Sequence, residues 1–254
     1  YMENLTNVDE ATTRFNEWAI AVTELEGLDD NTQYLSFRKN AFWRSIEYAM
    51  HDDFPTVNTD LEAFVNGKQQ DLYIDVSFNH QFQFPAEPLY YTPIYGEPFI
   101  VPYAVPLALQ ISWKMHQTIV RPRFKDLIDL IYLVGHKTYT TETKANVLQA
   151  LVDECYMDRI PPAKIKLLFK GAIRDLYNHA DIAESWHHWI SPKREHNPYF
   201  MPYQDKADHI VDTSLIPNSL DDFIAFFNEK MDAAGLGKPA FKERPEPSQQ
   251  KNKG

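Results

Sequence analysis

Apolar residues recur at helical spacing near the start of the chain. Residues 11 to 27 bring Phe15, Trp18, Ala19, Val22 and Leu25 near one face, which predicts a helix. Residues 36 to 51 carry Phe37, Phe42, Trp43 and Tyr48 and are expected to form a second helix. The period then changes. The stretches "DLEAFVN" and "DLYIDVSF" read as two strands joined at a Gly67-Lys68 turn. In the second, Leu72, Ile74, Val76 and Phe78 alternate with Tyr73, Asp75 and Ser77. That is the pattern of a half-buried strand, with Asp75 on the face opposite the aliphatic set.

Residues 81 to 106 hold six prolines and many aromatics. They are expected to form an extended crossing segment with an edge strand at "EPFIVPY". Pro106 suits the first turn of a helix running through "LALQISWKMHQTI" to about Val120. Pro122 breaks that pattern, a further helix follows to about Val134, and Gly135 is its expected cap. Helical composition continues over 141–159 and 162–184. Residues 185–217 read as irregular, 219–234 as an amphipathic helix, and the stretch from Gly235 onward as a disordered tail. There is no internal repeat. The order predicts an α+β part over 1–106, a helical module over 107–234 and a tail over 235–254.

One helix breaks its own pattern. "VRPRFKDLIDLIYLV", residues 120 to 134, sets Asp129 between Ile128 and Leu130, with Asp126 one turn earlier. A carboxylate beside a core is costly unless it is paired or solvated. If the chain turns at Pro122, the two helices form a hairpin that carries Lys114 back to Asp126 and Asp129. The pair then serves either as a structural staple or as part of a site.

Composition narrows the chemistry. The chain has 254 residues, 44% hydrophobic and 14% aromatic, enough for a substantial core in one large domain or two small ones. With 8 glycines, it contains neither GxGxxG nor a P-loop. A net charge of −11 argues against general DNA binding by the whole surface. A local basic site remains at Arg121, Arg123 and Lys125, near Lys114. One cysteine, Cys155, permits no intrachain disulfide and no CxxC knuckle. No apolar run reaches the length of a membrane span and no signal peptide is visible, so a cytoplasmic protein without membrane association is expected. The chain opens on Tyr1-Met2; either Tyr1 is an added residue or the natural N-terminus lies upstream.

The succession "DLYIDVSFN", the proline-rich crossing and "VPLALQISWKMHQTIVRPRFKDLIDLIYLV" resembles the AbiEii-type nucleotidyltransferase family, toxins of type IV toxin–antitoxin and abortive-infection systems. The resemblance runs over roughly residues 57 to 190. It rests on a strand bearing Asp75, a helix with Lys114-Met115-His116, a turn with Arg121 and Arg123, and the helix start Lys125-Asp126-Leu127-Ile128-Asp129-Leu130. It implies a polymerase-β-like nucleotidyltransferase core, here partial, followed by a helical C-terminal module. It further implies nucleotide transfer from an NTP to an acceptor such as tRNA, with Mg2+ or Mn2+, a cognate antitoxin as partner, and a role in phage defence. On that pattern Asp75 is a metal-side carboxylate and Lys114 faces the nucleotide phosphates. Asp126 and Asp129 position Lys114 or act as base on the acceptor hydroxyl, and Arg121, Arg123 and Lys125 meet phosphate or RNA backbone.

The family's Gly-Ser turn and D-x-D strand are not found. Gly27 is isolated, Asp29-Asp30 sits in a polar loop, and Asp60-Leu61-Glu62 lacks a preceding glycine turn. Either the N-terminal metal-binding strands lie outside this chain or catalysis is lost. Residues 1–254 are accordingly expected to transfer no nucleotide without a further segment. The alternative is a non-catalytic interaction protein that keeps the helical half of the fold. His187, His188 and His196 lack the spacing of a zinc site, and Cys155 reads as a core thiol.

Overall fold

The computed structural model describes residues 8–23, 35–37, 47–51, 54–65, 68–77, 82–93, 96–177, 182–190 and 216–237. Gly27, Asp29, Asp30, Gly67, His196 and the tail from residue 238 lie outside them. The chain divides into two compact units, Tyr1–Phe82 and Gln83–Gly254.

In the first unit the helical spacing at the start of the chain gives α1 (Val8–Thr23), which buries Phe15 and Ala19. Four strands follow: β1 (Leu35–Phe37), β2 (Glu47–His51), β3 (Phe54–Val65) and β4 (Lys68–Ser77). All pairings are antiparallel and all involve β3. β4 runs along one edge of β3, and β1 and β2 share the other edge at opposite ends. The hairpin expected around Gly67 is formed, its innermost pair being Val65 with Lys68. The helix expected over 36–51 is not: its two described ends are strands. Short aromatic-rich runs carry no decisive period, and here a 12-residue β3 offers backbone partners at both ends of the run.

In the second unit the proline-rich segment is more ordered than a crossing. β5 (Glu87–Tyr91) and β6 (Phe99–Ala104) form an antiparallel two-stranded sheet, with the expected edge strand as β6. The register shifts between Glu87 and Leu89, where Pro88 has no N–H to give the ladder. Pro106 then caps α2 (Leu107–Val120), its φ of −55° preset for the turn. Pro122 separates α2 from α3 (Phe124–Val134), and Gly135 caps α3 in right-handed geometry with φ −84°.

Thr140 opens α4 (Thr141–Met157) with a capping box, its hydroxyl accepting from the Thr143 N–H. α4 closes with the Arg159 N–H donating to the Tyr156 carbonyl and the Ile160 N–H to that of Cys155. That closure holds Arg159 at φ 56°. The single helix expected over 162–184 is instead α5 (Pro162–Phe169), α6 (Ile173–Leu176) and the start of α7 (Ile182–Ile190). The first break falls at Gly171, φ +71°, where an added Cβ would meet the Asn228 side chain at 2.7 Å. Residues 185–190, expected to be irregular, continue α7, because Trp186 and Trp189 have a core to enter. Residues 191–215 of that stretch lie outside the described set. α8 (Leu220–Ala233) is the amphipathic helix expected there. The chain beyond it stays packed for a few residues, since Leu236 is fully buried.

The core of this unit lies where α2 packs against α3 and α4, and α3 against α8. Ile111, Met115, Leu127, Leu151 and Phe223 are each 0% exposed there. Among the described residues no helix is long and apolar enough to cross a membrane.

Candidate functional site

α2 and α3 form the hairpin that Pro122 predicts, and their facing sides bring Lys114 to both carboxylates. Its ammonium donates to Asp126 Oδ1 at 2.9 Å and sits 2.7 Å from Asp129 Oδ2. The two acids differ in depth. The turn of α3 puts Asp126 on the flank of the arc centred on Leu127 and Leu130, and Asp129 on the far side of the helix. Asp126 is accordingly 0% exposed and the Asp129 side chain 44%. The residue set deepest in the apolar run of the sequence is thus the more solvated of the two.

Buried Asp126 has a second partner. Arg123, the residue that caps α3, donates from Nε to Oδ2 at 2.7 Å and from a terminal nitrogen to Oδ1 at 3.0 Å. Such a planar two-point grip, together with Lys114, satisfies a carboxylate that would otherwise be costly to bury. Asp126 also lies in the first turn of α3, where the helix dipole favours a negative charge. Partial burial pulls the Lys114 pKa down, but its hydrogen bonds to Asp129 and Asp126 and their charges outweigh this, and the net shift is upward. Lys114 is therefore a firm cation with 31% of its side chain open to solvent.

The remaining candidates fall around this core or outside it. Arg121 is exposed at the turn and Lys125 is half-buried on α3. The Arg123 guanidinium is turned onto Asp126. Asp75 lies on β4, paired in register with Asn58, and its side chain is outside the described set. It belongs to the first unit, whereas the Lys114 cluster belongs to the second. Asp60 pairs with Tyr73 in the same ladder. His187 is exposed on α7. Among the described residues no three His, Cys, Asp or Glu side chains converge to hold a metal. Cys155 is buried, and burial, with the Glu154 and Asp158 charges, raises its thiol to about 12, as befits an inert core residue.

Two groups were not foreseen. Tyr177, which caps α6, is 8% exposed, and its hydroxyl has no hydrogen-bond partner. Burial chiefly, and the Asp126 charge in addition, pushes its pKa upward. Glu154 on α4 faces α2, where the Ser112 hydroxyl donates to it at 3.3 Å. Burial raises its pKa to about 7, against the lowering effect of the Ser112 and Trp113 hydrogen bonds. Neither residue stands in a motif; only three-dimensional packing singles them out.

The family model of the nucleotidyl transferase AbiEii toxin, type IV toxin–antitoxin system, matches residues 11–212. No curated protein matches the chain. No solved structure matches it either.

Proposed function

Starting from the fact that this chain belongs to the AbiEii nucleotidyl transferase toxin family of type IV toxin–antitoxin systems, we propose that the α2–α3 hairpin is the phosphate-facing part of a nucleotidyltransfer site. The observation that carries this is the split environment of Lys114. One carboxylate, Asp126, is buried and anchored by Arg123, while the other, Asp129, is half in solvent. A purely structural staple needs only the buried partner. The second acid keeps the ammonium at the surface, where a triphosphate can reach it.

The reaction is transfer of a nucleotide from an NTP to an acceptor hydroxyl, with tRNA as the proposed acceptor. The hydroxyl oxygen attacks the α-phosphorus, the bond to the β-phosphate oxygen breaks, and pyrophosphate leaves. Lys114 meets the charge on the phosphates as a point cation. Asp129 accepts the acceptor's proton or, while the site is empty, holds Lys114 in place. Asp126 positions Lys114 from behind, and Arg123 positions Asp126. Arg121 and Lys125 meet phosphate or RNA backbone. Asp75 is proposed on the metal side, for Mg2+ or Mn2+, and no step here runs through the metal. A cognate antitoxin goes with the family; cytoplasmic action in phage defence is part of the same proposal.

The test is binding. NTPs with Mg2+ should raise the melting temperature of the parent chain, and Lys114→Met with Asp129→Leu should remain folded yet show no such rise. An absent effect in the parent moves the reading to a non-catalytic interaction protein.

A further inference from the structure

The outer face of α3 carries an aromatic ring beside the Lys114 cluster. Tyr132 follows Asp129 by three positions and is 46% exposed. Residues three apart on a helix are neighbours, with about 5–6 Å between their Cβ atoms. The helical rotation sets Tyr132 about 60° round the axis from Asp129, and Asp126 about 60° the other way. Lys114 bridges Asp126 and Asp129, so its ammonium lies on one flank of Asp129 and the tyrosine on the other. Helical side chains lean toward the N-terminal end of their helix, which tips the Tyr132 ring over the turn that holds Asp129. Lys125 shares the side of Tyr132, about two turns nearer the helix start. The other ring of α3, Phe124, is turned into the core at 6% exposure, so Tyr132 is the one presented outward.

We propose that Tyr132 is the stacking platform for the nucleobase of the NTP whose phosphates Lys114 meets. This rests on the reading of Lys114 as the phosphate-facing group. The step from Asp129 to Tyr132 is about 4.5 Å along the helix axis, and a nucleoside triphosphate is longer than that, so one molecule covers the ammonium and the ring together. Stacking needs no matched donors and acceptors. Every base has a π-face, so the ring takes any of the four nucleotides. A tyrosine also suits a half-exposed position, because its ring offers apolar area while its hydroxyl stays in water. The two residues then divide the ligand: Lys114 meets its charge and Tyr132 its base. A bare triphosphate gains only the first of these contacts. No covalent bond changes.

Titration calorimetry on the full chain separates ring from charge. ATP, GTP, CTP and UTP are titrated in turn with Mg2+, and inorganic tripolyphosphate with Mg2+ serves as the ligand without a base. The parent should bind at least one NTP about fivefold or more tightly than tripolyphosphate. Tyr132→Ala should lose that advantage yet bind tripolyphosphate as the parent does. Tyr132→Phe, which keeps the ring, should bind the NTPs as the parent does. Tyr132→Leu replaces the alanine variant if that variant does not fold. NTP binding undiminished in Tyr132→Ala overturns the platform. So does an equal weakening of NTP and tripolyphosphate, a Tyr132→Phe as weak as Tyr132→Ala, or a parent that prefers no NTP to tripolyphosphate. Each of these outcomes leaves Lys114 its phosphates. A parent that binds neither kind of ligand overturns the phosphate-facing reading itself, and the platform with it.

Discussion

Replacing each acid of the Lys114 cluster by its amide should give very different costs. Asp126→Asn keeps the shape and one acceptor oxygen but removes a charge that three hydrogen bonds converge on. Breaking one side of a buried ion pair costs about 3–5 kcal/mol. The lower end applies here, about 3 kcal/mol, because the Lys114 and Arg123 side chains keep 31% and 29% exposure and water takes up part of the loss. Asp129→Asn removes a charge that is 44% exposed and has a single described partner. Partly exposed pairs of this kind contribute roughly 0–1 kcal/mol. The contrast is thus about 3 kcal/mol against less than about 1. For a chain of this size, 3 kcal/mol corresponds to a drop in melting temperature on the order of 10 °C. The assay is urea unfolding followed by tryptophan fluorescence, with Trp186 and Trp189 reporting directly, since both pack on Phe124 at the start of α3. Equal costs for the two substitutions, or a cost below about 1 kcal/mol for Asp126→Asn, would refute the assignment of Asp126 as anchor and Asp129 as the open partner.

Two further outcomes follow from α4. Glu154 is raised to about 7 by burial, so its contribution to stability is full below its unfolded pKa of about 4.3 and is lost as pH rises through about 7. Glu154→Gln should therefore match the parent near pH 4.5 and exceed it at pH 8 by on the order of 1–2 kcal/mol, less than the full linkage value because Glu154 keeps solvent contact; an identical difference at both pH values in urea titrations would rule this out. Arg159 closes α4 at φ 56°, where a Cβ is strained by roughly 1–2 kcal/mol, so Arg159→Gly should stabilise the chain by a net 0.5–1 kcal/mol, roughly, after the extra freedom of glycine in the unfolded state is counted. A destabilised Arg159→Gly in the same titration would show that the arginine side chain holds that turn.

The hairpin and its ion pair were legible because an acid inside an apolar run demands a partner and Pro122 fixes where the chain turns back. The relative depth of the acids was also within reach, since helical period alone sets Asp126 beside Leu130 and Asp129 on the other side. Immediate sequence neighbours, Ile128 and Leu130, pointed the other way, and they face different directions on a helix. The strands at Leu35–Phe37 and Glu47–His51 were not legible, because their partner β3 decides them. The break at Gly171 was signalled by the glycine itself, whereas the length of α7 depended on the core that receives Trp186 and Trp189. Tyr177 left no trace in sequence, being set beside α3 by tertiary packing 51 positions beyond Asp126.

Whether Lys114 faces nucleotide phosphates is read from thermal unfolding with and without NTPs and Mg2+. At about a hundred times the dissociation constant, binding should add roughly 2.7 kcal/mol of apparent stability to the parent. Lys114→Met with Asp129→Leu should remain folded without ligand, less stable than the parent by about 1–3 kcal/mol because buried Asp126 loses one charge-assisted hydrogen bond, and should gain nothing from the nucleotides. An unshifted parent, or a double variant protected as fully as the parent, contradicts the claim.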